Sequence, residues 1–232
     1  MKTKVALLML LMGFGTAAMA LEPADLDNKI RLLTDKFDAF QHKPTFIPAE
    51  NLRQAQGIML LDRTKAGFLF AYQGGGGVAM VRDSGTGKWS PPAFVAANEG
   101  SLGFQIGAEQ HFIVVLFMTT NSTRMLLNQN YDFGGEARGT AGNTSSGVQT
   151  SEPTTPVLVY DDRQGLYGGA TVKGGGITPD NQANEVYYGQ PMTVADILFN
   201  HRAQSSAAAN SLAEEVQRYS HIQQPGASIS QR

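Results

Sequence analysis

Apolar residues recur every three or four positions along the segment that follows the first twenty residues. They lie at positions 26, 30, 33, 37 and 40, a spacing that places them on one stripe of an α-helix. Lys29, Arg31 and Lys36 flank the stripe, and Asp25 or Asp27 lies near the positive end of the helix dipole. Such a helix either packs on a sheet, which is the commoner arrangement, or lies in a lipid interface.

The pattern changes at Gly57, where short apolar or aromatic runs separated by turn residues replace the helical spacing. The runs that predict strands are GIMLLDR, AGFLFAYQ, GGVAMVRD, PAFVAANEG, SLGFQIGAEQ and HFIVVLFMTT. Before them, PAENLRQAQ predicts a short helix with Gly57 just past its end, and after them STRMLLNQ predicts a helix capped by Ser122. The later segment PVLVYDDRQGLYGGATVKGGG predicts a hairpin that turns through residues Asp161 to Gly165.

Helical spacing returns near the C-terminus. TVADILFNHR and SAAANSLAEEVQRYSH predict two helices, the second with Leu212, Val216 and Tyr219 on one stripe. Together the elements predict an α+β fold, in which a glycine-rich, mainly antiparallel β-sheet core is flanked by N- and C-terminal helices. The chain has 232 residues and no evident linker, so we expect one domain over residues 21–222 and a disordered tail over residues 223–232.

The first twenty residues form a pattern of their own. Positive charge in MKTK precedes the apolar run VALLMLLMGFG, and Ala18 and Ala20 form a small-x-small ending. This pattern is typical of a secretory signal peptide, because the apolar run is shorter than the roughly 20 residues that span a bilayer. We therefore expect residues 1–20 to be a signal peptide cleaved near Ala20, and the mature protein to be periplasmic or secreted.

Composition narrows the classes of function. The chain has no cysteine, which excludes disulfides, thiolate metal sites, a cysteine nucleophile and the acylated cysteine of a bacterial lipoprotein. Its formal charge of −2 becomes −4 once Lys2 and Lys4 are removed with the signal peptide, and no basic block is present. Nucleic acid is therefore not an expected partner, because its binding depends on neutralising phosphates.

Local motifs predict neither catalysis nor a metal or cofactor site. The run Gly74–Gly77 lacks the helix that follows a dinucleotide-binding motif, and the four histidines lack paired ligand spacing. Glu109 and His111 share one face of a predicted strand, and Asp161 and Asp162 lie in a predicted turn, where polar residues are common. A hydrolase that uses Glu109, His111 and Asp162 is a third, less favoured hypothesis.

Several motifs occur in order along most of the chain. They are Gly57-Ile58, the glycines 74–77, Trp89-Ser90-Pro91-Pro92 with Phe94, and Gly103-x-Gln105-x-Gly107. FGGEARGTAG, VYDDRQGLYGGATVKGGGI, Asn184, Tyr188-Gly189 and Ile197-Leu198 follow them. From about Leu26 to Leu212 this order resembles the lipid-binding SYLF domain family, and the chain is similar to exported bacterial members, although many of those carry the lipoprotein cysteine.

The resemblance implies binding of a phospholipid or a membrane surface without catalysis. Eukaryotic relatives are associated with phosphoinositides and actin, but an exported bacterial protein meets no actin, so an envelope phospholipid is the implied ligand. A glycine-rich sheet admits close approach of a ligand, and cations and an amphipathic tryptophan near it suit a headgroup. The candidate lipid-binding residues are Arg63, Lys65, Arg82, Lys88, Trp89, Gly103, Gln105 and Gly107.

The residues and the resemblance therefore predict two alternative functions. The first is a non-enzymatic phospholipid- or membrane-binding domain of the bacterial cell envelope, acting in lipid handling or envelope maintenance. The second is a periplasmic protein-interaction or scaffold module without a lipid ligand, for which the polar stretch GTAGNTSSGVQTSEPTT offers a surface. The sequence likewise allows two roles for Trp89, which either lies at the level of lipid headgroups or packs as a core side chain.

Overall fold

Among the described residues, seven strands form one antiparallel sheet, and helices pack against both of its faces. A computed structural model describes residues 20–62, 75–97, 112–128, 157–161, 165–167 and 177–222. The helices are α1 (Pro23–Gln41), α2 (Ala49–Gln54), α3 (Thr120–Thr123) with a following 3-10 turn (Arg124–Leu127), α4 (Asn181–Tyr188), α5 (Val194–Leu198) and α6 (Ala207–His221). The strands are β1 (Gly57–Asp62), β2 (Gly75–Val81), β3 (Ala93–Ala97), β4 (Phe112–Phe117), β5 (Val157–Asp161), β6 (Gly165–Tyr167) and β7 (Ile177–Pro179).

The order of strands across the sheet is β6-β5-β4-β1-β2-β3-β7, and every neighbouring pair is antiparallel. The central strand β1 pairs with β2 from Gly57 opposite Val81 to Asp62 opposite Gly76. The hairpin predicted for the segment that begins PVLVYDD is formed by β5 and β6. The predicted α+β fold, a mainly antiparallel sheet flanked by terminal helices, is confirmed.

One face of the sheet, called here the α1 face, is covered by α1, α2 and α6 and by part of α4. Its buried strand residues are Ile58, Leu60, Val78, Met80, Phe94, Phe112, Val114, Leu116 and Tyr160. The predicted apolar stripe of α1 is buried against them, and each of its five residues is at most 3% exposed. Helix α1 therefore packs on the sheet and on α6, the commoner of the two arrangements that its sequence allows.

The opposite face, called here the α5 face, is covered by shorter elements. Its buried strand residues are Met59, Leu61, Ala79, Val81, Ala93, Val95, Ile113, Val115, Phe117, Val157 and Ile177. Leu126 of the 3-10 turn and Val194, Ile197 and Leu198 of α5 pack over them. Because both faces are covered, β4 is apolar and buried at all six positions and shows no polar alternation.

Two helix boundaries differ from the prediction. Helix α2 ends at Gln54, and Gly57 is the first residue of β1 rather than the residue after the helix. Ser122 is not the cap of α3; the cap is Thr119, whose hydroxyl accepts a hydrogen bond from Ser122 N at 3.0 Å. The hydroxyl of Ser122 accepts from Thr119 N at 3.1 Å in return, so the pair forms a reciprocal capping box.

Residues 1–19, which carry most of the predicted signal peptide, and the predicted tail over residues 223–232 lie outside the described residues. Within the described ranges, no helix combines the length and the apolar character that crossing a membrane requires. The domain bounds 21–222 stay a prediction.

Candidate functional site

Arg82 and Trp89, two predicted site residues, lie together where β2 leaves the sheet. They face each other across an isolated bridge, and the Arg82 guanidinium carbon lies 4.5 Å from the centroid of the Trp89 ring. Arg82 Nε also donates to the carbonyl oxygen of Ala55 at 3.2 Å, just past the C-terminus of α2, where a cation is favourable. Partial burial lowers the pKa of Arg82. The guanidinium is thus already engaged by the protein itself.

Trp89 combines features of both roles that its sequence allows. Its ring is half-buried and packs against the core of the α1 face. Its indole Nε1 is buried and has no hydrogen-bond partner among the described residues. An interfacial tryptophan usually turns this N–H toward the wet side, so the orientation favours the packing role.

The turn that joins Arg82 to Trp89 is exposed and carries Lys88. Asp83 organises the turn, because its carboxylate accepts bonds from Thr86 N at 2.6 Å and from the Thr86 hydroxyl at 2.8 Å. The hydroxyl bond is the largest cause of the lowered pKa of Asp83. His201, in the loop between α5 and α6, lies 3.2 Å from the same carboxylate. Lys88 is therefore a surface cation on a well-ordered turn.

The other predicted site residues belong to parts of the chain outside the described ranges. Arg63 and Lys65, and the strip of Gly103, Gln105 and Gly107, lie outside the described residues, as do Glu109, His111 and Asp162 of the hydrolase hypothesis. Asp62, the residue before Arg63, is the last residue of β1 and pairs with Gly76. It therefore lies at the end of the β1–β2 ladder that is remote from Arg82. The structure therefore brings together Arg82, Lys88 and Trp89 and tests none of the others.

Two lysines of α1 that flank its apolar stripe face the sheet. Lys36 Nζ lies 2.6 Å from a carboxylate oxygen of Asp62, and both side chains are largely buried. Lys29 Nζ lies 6.0 Å from the centroid of the Phe94 ring. Burial lowers the pKa of Lys29, and the nearby carboxylates of Asp180 and Asp62 oppose that shift. The sequence feature that could have indicated this arrangement is the spacing of seven residues between Lys29 and Lys36, which places both lysines on one side of the helix.

The glycines that begin β2 are explained by contacts within the protein. A Cβ atom at Gly76 would lie 3.0 Å from Lys29 Nζ and 2.9 Å from the carbonyl oxygen of Val95. A Cβ atom at Gly77 would overlap the carbonyl oxygen of Leu60 in β1. At these two positions the space that glycine leaves is occupied by Lys29 and by β1, so it is not free for a lipid chain.

A groove opens on the α5 face, beside the edge strand β7. Helix α4 ends at Tyr188 and is capped by Gly189, whose φ of 67° is readily adopted only by glycine and turns the chain back on itself. The returning segment Pro191–Ala195 then faces α4 and β7, and Leu127 of the 3-10 turn closes one side. The groove has a volume of 780 Å³, within the range of small-molecule sites. The residues that line it are Leu127, Thr178, Pro179, Asn181, Glu185, Pro191, Met192, Thr193, Val194 and Ala195.

The groove combines an apolar floor with a polar rim. Met192 and Val194 are buried at its floor, while Leu127 is 40% exposed at its side. Asn181 and Glu185 form one rim from α4. Sequence reasoning missed this site because its walls come from positions 127, 178–185 and 191–195, and no local pattern joins them. Only the packing of α4, α5 and β7 brings them together.

The arrangement offers shape and polarity rather than reactive groups. Among the described residues, no group of three or more histidine, cysteine, aspartate or glutamate side chains is placed to hold a metal ion.

Comparison with known proteins shows the family to which the chain is related. Residues 98–219, more than half of the chain, match the model of the Ysc84 family, described as "Las17-binding protein actin regulator". The chain belongs to the Ysc84 family. The SYLF resemblance of its motifs is confirmed.

Relatives of known name share the domain within longer proteins. The chain is 30% identical over 158 residues to SH3 domain-containing YSC84-like protein 1 of Xenopus laevis, covering 66% of this chain and 47% of the relative. The human protein of that name is 29% identical over 157 residues, covering 66% and 46%. LAS seventeen-binding protein 3 of Saccharomyces cerevisiae is 28% identical over 158 residues, covering 66% and 34%. The chain therefore spans about half the length of the animal relatives and a third of the yeast protein.

Proposed function

We propose that this Ysc84-family chain binds phospholipid or a membrane surface without catalysing a reaction. The observation that carries the proposal is the groove beside β7, which presents an apolar floor at the molecular surface. An acyl chain seated over Met192 and Val194 would exclude water mainly from Leu127, which is 40% exposed, a favourable change of about 25 cal/mol for each Å² removed from water. The polar rim of the groove would stay in contact with the headgroup region.

The exposed turn that bears Lys88 supplies a second, weaker contact. It lies beside the half-buried ring of Trp89, and a cation near an anionic leaflet contributes about 1 kcal/mol. Arg82 is stacked on that ring and contributes mainly by holding it in place. Among the described members of the predicted set, Lys88 is the best exposed to meet a headgroup. Arg63 and Lys65 stay candidates for a headgroup contact of their own.

The proposed location is the bacterial cell envelope, reached after cleavage near Ala20. The support is the signal-peptide pattern of residues 1–20 together with the absence of cysteine, which leaves no site for lipoprotein acylation. In that location the domain would act in lipid handling or envelope maintenance. Expression of the full chain in a bacterium, with fractionation and N-terminal sequencing, tests this: the expected product is periplasmic or secreted and begins at Leu21. An uncleaved cytosolic product contradicts it.

Lipid binding is tested on natively purified protein. Lipid extraction followed by mass spectrometry should identify a co-purifying phospholipid, and the protein should float with liposomes of envelope lipids. The groove variant is Leu127→Asp, and its matched control is Leu32→Asp on α1, because these two leucines are 40% and 39% exposed. We expect Leu127→Asp to reduce flotation at least about fivefold and Leu32→Asp to leave it unchanged. No co-purifying lipid and no flotation would refute the proposal.

A second candidate function is a protein-interaction or scaffold module. It is favoured by the names of the family and of the yeast relative, both of which describe a Las17-binding protein. For this chain the partner would be another envelope protein. Crosslinking in cells distinguishes the two functions, because one dominant protein adduct that survives delipidation supports the scaffold, and its absence beside a bound phospholipid supports lipid binding.

A further inference from the structure

The charge in the groove comes from one residue. Among the described residues that line it, Glu185 is the only one with an ionisable side chain, and it shares one side of α4 with Asn181, four residues earlier. Glu185 is exposed, and no hydrogen bond or ion pair joins it to any other part of the described chain. Its carboxylate is therefore available to a ligand, and it repels an anionic group at this rim.

A second carboxylate, that of Asp196, lies next to the groove, but its negative charge is already compensated by hydrogen bonds and an ion pair within the protein. Asp196 follows the lining residue Ala195, and its carboxylate accepts from the Thr193 hydroxyl at 2.7 Å and from Arg202 Nη1 at 3.0 Å. These contacts, with a further bond from Asn200, hold the pKa of Asp196 down to about 2. Asp196 thus stays charged and compensated by its partners, which leaves Glu185 to set the charge preference of the groove.

The edge of the sheet argues against an extended peptide as the occupant. Strand β7 lies at the end of the strand order, and its last residue is Pro179, which has no N–H to donate. With three residues and a proline, β7 offers too short a ladder for an added strand. A peptide on the apolar floor would leave its own backbone groups without partners, which is costly, whereas an acyl chain has no such groups.

We propose that the groove binds one acyl chain of a zwitterionic phospholipid whose headgroup carries a primary amine, with the ammonium group over Glu185. This inference rests on the proposed lipid-binding function and adds the class of headgroup. The acyl chain lies along Met192, Val194 and Leu127, and the ammonium group pairs with the carboxylate of Glu185 at the rim. An anionic phospholipid of the same chain length loses this pair and meets repulsion in its place.

The test uses two soluble lipids of equal acyl chain, lysophosphatidylethanolamine and lysophosphatidylglycerol, each titrated below its micelle concentration by calorimetry. The full chain should bind the amine-bearing lipid about two- to fivefold more tightly, as suits one exposed ion pair. Raising the salt concentration should shrink this ratio, because salt screens exposed charges. Glu185→Lys should reverse the preference, and Glu185→Gln should abolish it.

The matched control is Glu214→Lys, which makes the same charge change at an exposed position of α6, on the α1 face. It should leave the ratio of the two affinities unchanged. An unchanged ratio in Glu185→Lys, with both lysolipids still binding, overturns this inference and leaves the proposed function standing. Failure of both lysolipids to bind, with no liposome flotation, overturns both. Displacement of the lipid by a short apolar peptide that contains lysine, at lower concentration than the lipid itself, overturns the choice of a lipid occupant.

Discussion

The two faces of the sheet are covered to different extents. The α1 face lies under the 19-residue α1 and the 15-residue α6, and it encloses the aromatic residues Phe37, Phe40, Phe94 and Tyr160. The α5 face lies under a five-residue helix and a four-residue 3-10 turn. These short elements cover the strands but leave the groove between α4, α5 and β7. The same sheet thus has one closed face and one face with a surface groove.

The difference indicates a division of roles. Long amphipathic helices bury a continuous stripe and contribute most of the apolar burial, so the α1 face carries stability. Short capped elements such as α5 are positioned by their ends, and the described side chains leave the space between α4, α5 and β7 unfilled. We infer that ligand binding is concentrated on the α5 face, and that substitutions on the two faces should separate stability from binding.

The largest expected effect comes from the strand that both faces share. Gly77→Ala would place a methyl group into the carbonyl oxygen of Leu60, which is backbone and cannot move without opening the β1–β2 ladder. We expect a loss of more than about 4 kcal/mol in the free energy of unfolding, or no folded protein. The control is Gly85→Ala in the exposed turn, where the nearest atom to the new Cβ lies at 3.5 Å, and it should change stability by less than about 0.5 kcal/mol. Urea denaturation measures both, and a folded, stable Gly77→Ala variant contradicts the register of β1 on β2.

The next effect tests how firmly α1 closes its face. Phe37 is fully buried and meets the ring of Tyr219 edge to face, with 5.8 Å between centroids. Phe37→Ala should cost about 3–5 kcal/mol, because it removes a large side chain and leaves a cavity. Leu32→Ala on the exposed side of the same helix should cost less than about 0.5 kcal/mol. Equal, small losses in the two variants would mean that α1 is not docked in solution.

A smaller effect is expected at the link between the two faces. Asn184 of α4 is fully buried, and its side chain accepts from Phe94 N at 2.8 Å and donates to Phe94 O at 3.1 Å. Asn184→Ala should cost about 2–3 kcal/mol, because it leaves the N–H of Phe94 buried without a partner. Asn181→Ala on the exposed side of α4 should be close to neutral in stability. The amide of Phe94 should also exchange faster with solvent in Asn184→Ala, and unchanged exchange would argue against the link.

Most of the closed face could be predicted from the sequence, because its signals are periodic. The stripe of α1 from Leu26 to Phe40 and the stripe of α6 predicted both helices. The runs GIMLLDR, GGVAMVRD, PAFVAANEG and HFIVVLFMTT predicted β1 to β4, the runs AGFLFAYQ and SLGFQIGAEQ lie outside the described residues, and none of the six runs corresponds to β7. Helix α4 has no comparable stripe, and only the resemblance at Asn184 and Tyr188-Gly189 indicated it. The inward orientation of Lys29 and Lys36 was not predicted, since a lysine beside an apolar stripe usually reaches solvent.

The groove could not be predicted, for a different physical reason. Its floor and rim come from three separate stretches of chain, and their meeting depends on the left-handed turn at Gly189 and on the pairing of β7 with β3. The predicted residues Arg82, Lys88 and Trp89 did prove to be neighbours because a hairpin turn connects them locally. Local chemistry was therefore predictable, whereas a site assembled from distant segments was not.

The smallest expected effect concerns the charge balance beside the groove. The folded-state pKa of Asp196, about 2, lies below the value of about 3.9 expected in the unfolded chain. The stability that its carboxylate contributes is therefore fully present above about pH 4 and is lost as the pH falls through about 2. The main cause is the bond from the Thr193 hydroxyl, with smaller contributions from Asn200 and Arg202. NMR titration of the Asp196 carboxyl should give a midpoint near pH 2, which should rise more in Thr193→Ala than in Arg202→Ala. A midpoint near 4 in the unmodified protein would mean that these partners do not stabilise the charged carboxylate of Asp196. The uncompensated charge of Asp196 would then add to that of Glu185 in setting the charge preference of the groove, which we assign to Glu185 alone.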